Sequence, residues 1–173
     1  ARTLMVDAPV RQSLGNTSKF TDVSGDLARI AEAVTSNGST FRDVGFTSTP
    51  VMTSSGGLFN PSAPISRLDL AVALVKALGH DAKAKALAGT TVTTADGSTP
   101  LIDSDQIPAE LRGYVQIAIK DGMFEAFPAE IRQIGPGQFQ AVPGPRFEPS
   151  TGLTRATLAA KLAKYYTLFW SGL

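Results

Sequence analysis

The sequence predicts a mainly helical α+β fold of two tandem helix–loop–helix units carrying small inserted β-hairpins. Three observations lead there. The chain repeats itself: Phe59-Asn60-Pro61-Ser62-Ala63-Pro64-Ile65-Ser66-Arg67-Leu68-Asp69 returns as Phe147-Glu148-Pro149-Ser150-Thr151-Gly152-Leu153-Thr154-Arg155-Ala156-Thr157, with Phe59 and Arg67 both offset by 88 residues from their counterparts. A gap-free match at fixed offset marks internal duplication. Apolar residues at helical spacing follow each copy and also precede it, so each unit holds a helix pair. The stretches between helices are rich in Ser, Thr and Gly and contain Asp96-Gly97 and Pro136-Gly137, which are turn signals.

Taken in order, residues 1–18 hold one apolar cluster and Gly15-Asn16-Thr17-Ser18, and read as a linker or the tail of a preceding domain. Residues 19–79 form the first unit. Its opening helix shows Leu27, Ile30, Ala31 and Val34 on one face and stops at Asn37-Gly38. Residues 39–58 read as a long loop or weak hairpin. The second helix spans about residues 66–78, with Ala71, Leu74, Val75 and Leu78 inward and Gly79 as its stop. Residues 80–100 link the units through a short helix near 82–88 and a hairpin of Thr90–Thr94 turning at Asp96-Gly97. Residues 101–173 form the second unit. Pro108 opens a helix with Leu111, Tyr114, Val115, Ala118 and Ile119 apolar, and Asp121-Gly122 caps it. A hairpin pairs Ile131–Ile134 with Phe139–Val142, and a last helix, about 154–169, presents Leu158, Ala159, Leu162, Tyr166 and Phe169 inward.

The repeated stretch has a readable physics. Ser66 and Thr154 stand where an N-cap belongs, accepting from the first free N–H groups of the following helix. Asp69 lies three residues on, a short-armed relative of the capping box, and Thr157 replaces it in the second copy. Phe59 and Phe147 are expected to tuck under the incoming helix while Pro61 and Pro149 stiffen the approach. Arg67 and Arg155 stand at the first helical position, where a cation opposes the macrodipole by about 0.3–1 kcal/mol. Both therefore call for a partner: an internal carboxylate (Asp22, Asp69 or Asp103) or an external anion.

Composition narrows the function classes. With 43% hydrophobic and 18% charged residues in 173, the chain is long and apolar enough for a folded core. A net charge of +1 gives no general attraction to nucleic acid or to an anionic membrane. The absence of cysteine excludes disulfides and thiolate metal sites. No apolar run reaches membrane-spanning length and no basic-then-apolar leader opens the chain, which reads as a mature or excised piece of something longer.

Phe20-Thr21-Asp22-Val23, Phe59-Asn60-Pro61 and Ile65-Ser66-Arg67-Leu68-Asp69 resemble one repeat of the S-layer homology family. Ile102-Asp103, Ile107-Pro108, Tyr114, Gly122, Phe147-Glu148-Pro149 and Leu153-Thr154-Arg155-Ala156-Thr157 resemble another. The resemblance covers residues 20–169. It departs from the family in showing two repeats rather than three and in replacing the motif glutamate by Asp69 and Thr157. The resemblance implies a non-catalytic module on the surface of a bacterial cell, extracellular, binding anionic and often pyruvylated cell-wall polysaccharide in grooves between repeats. By position it assigns that contact to Arg67 and Arg155 with the flanking Ser66 and Thr154. The alternative is a protein-interaction or oligomerisation domain at the C-terminus of an exported hydrolase, such as a subtilisin-like serine protease. Its partner is then the preceding domain or a homo-oligomer. Neither reading calls for a cofactor, a nucleic acid or membrane insertion.

Other residues carry weaker signals. Asp103-Ser104-Asp105 with Glu110 lacks the Gly and further ligands of a calcium loop, and an Asp at a helix entrance is more often a cap. His80 is the single histidine, so no multi-His metal site exists, and no Gly-x-Ser-x-Gly elbow accompanies it. Glu125 and Glu130 have no pattern that makes them converge as a glycosidase pair. Tyr165, Tyr166, Phe169 and Trp170 suit sugar rings, but their helical spacing favours packing or contact with another subunit.

Overall fold

The computed structural model describes Ala1, residues 19–38, Thr40, Arg42, Gly45 and residues 47–171. The expected tail at 1–18 (Ala1 apart) and much of the loop at 39–46 lie outside them. Among the described residues the order is α1 (Gly25–Val34), α2 (Arg67–Ala77), α3 (Asp81–Ala86), α4 (Arg112–Lys120), β1 (Glu130–Gly135), β2 (Gln138–Val142) and α5 (Arg155–Ser171). Short 3-10 turns at Ser104–Gln106 and Ala109–Leu111 precede α4. The class is α+β, with helices dominant and one two-stranded antiparallel sheet.

The centre of the molecule is α2 against α4. Both are buried nearly all round: Leu70, Ala71, Ala73, Leu74, Val75 and Ala77 on α2, and every residue from Gly113 to Ile119 on α4. A helix wrapped this far is central, because on α2 only the stripe at Leu68, Asp69 and Val72 is left toward water. Helix α3 lies so close to α4 that a Cβ on Gly113 would stand 1.9 Å from the Ala84 carbonyl oxygen. Only glycine fits there. Val34, Ile107, Met123, Phe124 and Phe147 complete the core around the pair.

The hairpin at 130–142 forms as the alternating pattern predicts, in the register Ile131 opposite Ala141 and Gln133 opposite Phe139, with Gly137 at φ +69° in the turn. The expected hairpin at 90–100 is smaller. A single bridge joins Thr93 to Pro100 around the Asp96-Gly97 turn, without strands. The ladder donors are diverted: Val92 N donates to Ser104 Oγ (3.0 Å) and Thr93 N to Gln116 Oε1 (2.7 Å). In α5 the inward register differs from expectation. Tyr165 and Phe169 are buried, whereas Ala159 and Tyr166 face out and Leu158 and Leu162 are half-buried. Tyr165 and Phe169 lie one turn apart with ring centroids at 6.0 Å, and Arg42 stacks on Phe169; that contact sets the rotation of the helix.

Several hydrogen bonds occur twice. Asp22 accepts from the N–H groups of Phe59 (2.9 Å) and Asn60 (2.7 Å), and Asp103 accepts from those of Phe147 (2.9 Å) and Glu148 (2.6 Å). Asn60 and Glu148 share a left-handed φ of 56°. Ala63 N donates to Asn60 O, as Thr151 N does to Glu148 O. Met52 N donates to Val34 O, as Phe124 N does to Ala118 O. Ser55 bridges Leu58, as Phe127 bridges Arg146. The extra chain sits in different places: residues 39–50 lengthen the first stretch after its opening helix. In the second stretch the hairpin stands where the first has only Gly56-Gly57.

Candidate functional site

Arg67 opens α2, yet its side chain is buried (1% exposed). Its Nε donates to the Phe147 carbonyl (2.8 Å) and its Nη2 to the Glu125 carbonyl (2.9 Å), while Nη1 lies 3.7 Å from Glu125 Oε1. The guanidinium sits 4.2 Å from the centroid of Phe127, 4.9 Å from Phe147 and 5.2 Å from Phe124, a three-sided aromatic socket. Burial lowers its pKa, opposed by Glu125, Glu148 and Asp103, and a guanidinium keeps its proton under any such shift. The planar fork is what lets one side chain meet two carbonyls and three ring faces together.

The backbone docks beside it. Arg67 N donates to Thr151 O (2.9 Å), Leu68 N to Pro149 O (3.0 Å) and Leu153 N to Ile65 O (3.3 Å), with Ser66 bridging Gly152. Ser66 Oγ accepts from Asp69 N (3.0 Å) as an N-cap and also donates to Asp69 Oδ2 (2.6 Å). The opening turn of α2 is therefore filled by the stretch at 149–153. Thr154 caps α5 in the same way, accepting from Thr157 N (3.1 Å).

The two arginines expected as a matched anion-binding pair stand in different settings. Arg67 has no surface to offer a glycan, and its partners are Glu125 and two carbonyls, none of Asp22, Asp69 or Asp103. Arg155 and Thr154 are exposed, and the Arg155 side chain makes no hydrogen bond or ion pair among the described residues. Ser66 is half-buried with its hydroxyl committed. The two arginines are not brought together. Sequence reasoning missed Phe124 and Phe127 and weighed Glu125 only as half of a glycosidase pair; the signal was the aromatic spacing in Phe124-Glu125-Ala126-Phe127, just after a helix stop.

A groove of about 450 Å³ runs along another face of α2, from Asp69 in its first turn to Lys76, lined also by Met52, Thr53, Ser55, Phe59, Asn60 and Ala63. It has no comparable aromatic cage. Lys76 Nζ, at its floor, donates to Pro50 O (3.1 Å), and burial lowers its pKa.

The remaining candidates are structural. Asp103 is buried with both oxygens taken by backbone N–H groups, and Asp105 pairs with Arg112 (3.0 Å), so they hold the chain and do not converge on an ion. Among the described residues no cluster of three metal-ligating side chains occurs. His80 Nδ1 stands 3.8 Å from Asp121; burial pushes its pKa below the ordinary value despite that carboxylate, so at neutral pH it is uncharged. Glu125 is tied to Lys161 and Arg67. Glu130 joins Arg132, Arg146 and Glu148 in a four-residue ion network at the hairpin base, with Arg146 Nη2 2.6 Å from Glu130 and its Nε 2.7 Å from Glu148. The two carboxylates therefore serve separate networks. Tyr165 and Phe169 are core, while Tyr166 and Trp170 stay about half exposed and meet edge to face. Asp81 accepts from Tyr114 Oη (2.6 Å), Lys85 Nζ (2.7 Å) and Thr49; burial raises its pKa, but these bonds prevail and hold it below the ordinary value.

No protein-family model, curated protein or solved structure matches the chain. Among the described residues no helix is long and apolar enough to cross a membrane.

Proposed function

We propose that this chain is a non-catalytic association module of an exported bacterial protein, built from two S-layer-homology-like units at 19–79 and 101–173. The reading is supported by the recurring Asp-to-backbone bonds, the paired N-caps, and above all by the docking of Arg67. One unit's arginine and opening helical turn enter a socket made by the other unit's Phe124, Glu125, Phe127 and Phe147. The carboxylate beside this contact is itself paired, Glu125 with Lys161 and Arg67, which fits a surface that holds.

Attachment to anionic cell-wall polysaccharide is the second reading. It is favoured by Arg155 alone, which is exposed beside Thr154 at the opening turn of a helix where anions are welcome. One experiment separates the two. The chain is applied to purified wall sacculi, with and without the wall polymer, and its mass is measured by light scattering. Retention that disappears on stripping the polymer and in Arg155→Glu supports wall attachment. A defined assembly without retention supports protein association. A substrate screen returning turnover dependent on His80 overturns both.

A further inference from the structure

We infer that the exposed ends of the two units are complementary halves of one interface, and that a second copy of this chain docks head to tail through them. The inference rests on the two-unit reading above. In the occupied interface the donors are Arg67 N, Leu68 N and the Arg67 guanidinium, and the acceptors are Thr151 O, Pro149 O, Phe147 O and Glu125 O. Each half has a counterpart left open at the other end of the chain.

The donor counterpart is Thr154-Arg155-Ala156. It has the same capping hydroxyl, an exposed guanidinium, and N–H groups on Arg155 and Ala156 that make no hydrogen bond among the described residues. The acceptor counterpart follows from the shared hydrogen bonds. The bridges Ser55–Leu58 and Phe127–Arg146 correspond, Phe59 corresponds to Phe147, and Met52 N and Phe124 N each bond a carbonyl in the last turn of the opening helix. The socket residues Phe124, Glu125, Phe127 and Phe147 thus map onto Met52, Thr53, Ser55 and Phe59. All four line the groove of about 450 Å³. Beside it run Pro61 and Ala63, the counterparts of Pro149 and Thr151, in an exposed turn whose Ala63 N to Asn60 O bond repeats that of Thr151.

Arg155 of one copy therefore enters the Met52–Phe59 groove of the next, its N–H and that of Ala156 reaching the carbonyls of Ala63 and Pro61. Asp69 on the groove wall supplies a carboxylate for the incoming cation. Met52 and Ser55 stand where the occupied socket has phenylalanines, so cation–π support is weaker and the association is reversible. A head-to-tail contact uses two different patches, so each chain keeps one free half after the first contact.

The test is mass against concentration, by sedimentation and light scattering, from about 10 μM to about 1 mM, which spans weak specific association. Wild type is expected to rise above 18.1 kDa with concentration. Arg155→Glu, with its donor end spoiled, and Thr53→Arg, with its groove blocked, are each expected to stay at the single-chain mass. Mixed together they are expected to form a two-chain species and nothing larger, because each supplies the half the other lacks. Both positions are exposed, and circular dichroism checks the fold; Ser55→Arg serves as the second groove variant. Single-chain wild type throughout, an Arg155→Glu that assembles like wild type, or a mixture that stays at single-chain mass overturns the inference. The two-unit reading fails on a different result, an Arg67 substitution that leaves stability unchanged.

Discussion

Replacing Arg67 is the perturbation on which the docking argument turns. Arg67→Ala removes the donors from the Phe147 and Glu125 carbonyls, the first of them bonded at 2.8 Å in a fully buried setting. It also empties a space enclosed by three phenylalanine rings at 4.2–5.2 Å. Each buried acceptor left unpaired costs about 1–3 kcal/mol, and loss of the ring contacts about 0.5–2 kcal/mol. Against these, the mutant no longer buries a charge, which offsets part of the loss. The net expectation is about 3–5 kcal/mol, a large share of the 5–15 kcal/mol typical of a domain. Urea unfolding should show the midpoint falling by more than about 1 M at unchanged slope. Arg67→Lys is expected to lose about 2 kcal/mol, because an ammonium keeps the charge without the fork. It remains measurable if the alanine variant does not fold. Arg155→Ala, on the exposed sister position, should lie within about 0.5 kcal/mol of wild type. A loss below about 1 kcal/mol for Arg67→Ala, or equal losses for the two arginines, refutes the socket as a stabilising contact.

Gly113→Ala should destabilise by about 1–3 kcal/mol by overpacking, since the added methyl meets the Ala84 backbone and α3 must move away from α4; thermal unfolding reads this directly. Asp103→Ala should cost about 2–4 kcal/mol, because it strands the buried N–H of Phe147 and that of Glu148. Asp22→Ala, whose carboxylate is exposed, should cost clearly less in the same urea titration. Acid should weaken the fold. Asp81, Glu125 and Glu148 are held below their ordinary values of 3.8 and 4.5, burial raising each but their bonded cations and donors prevailing. The folded state therefore binds fewer protons, and this stability is fully present above those values and lost as pH falls through and below them. His80 adds to the same direction from about pH 6.5 downward, since burial lowers its pKa in the fold. Denaturant midpoints between pH 7 and pH 3 should fall monotonically; a midpoint that rises on acidification contradicts the assignment.

Local chemistry was legible in the sequence and distant partnership was not. Ser66 and Thr154 cap their helices because capping is decided within three residues. The hairpin at 130–142 was legible because Pro136-Gly137 sits between two alternating runs. Arg67 was singled out correctly as needing a partner, but that partner comes from carbonyls 58 and 80 residues away, which no local pattern encodes. The rotation of α5 was misread because Tyr165 and Tyr166 are adjacent aromatics, either able to head the inward stripe until Phe169 and Arg42 choose. The strand expected near Thr90 failed because Ser104 and Gln116 claimed its donors.

The hairpin leaves the body through a narrow gate. Phe127 and Arg146 exchange both backbone bonds (2.8 and 3.0 Å), and their counterparts Ser55 and Leu58 close over two glycines alone. Beyond that gate the two strands pack chiefly on each other, held to the body by the ion network of Glu130, Arg132, Arg146 and Glu148. Such a site lets evolution, or an engineer, change what the module displays while its frame stays as it is.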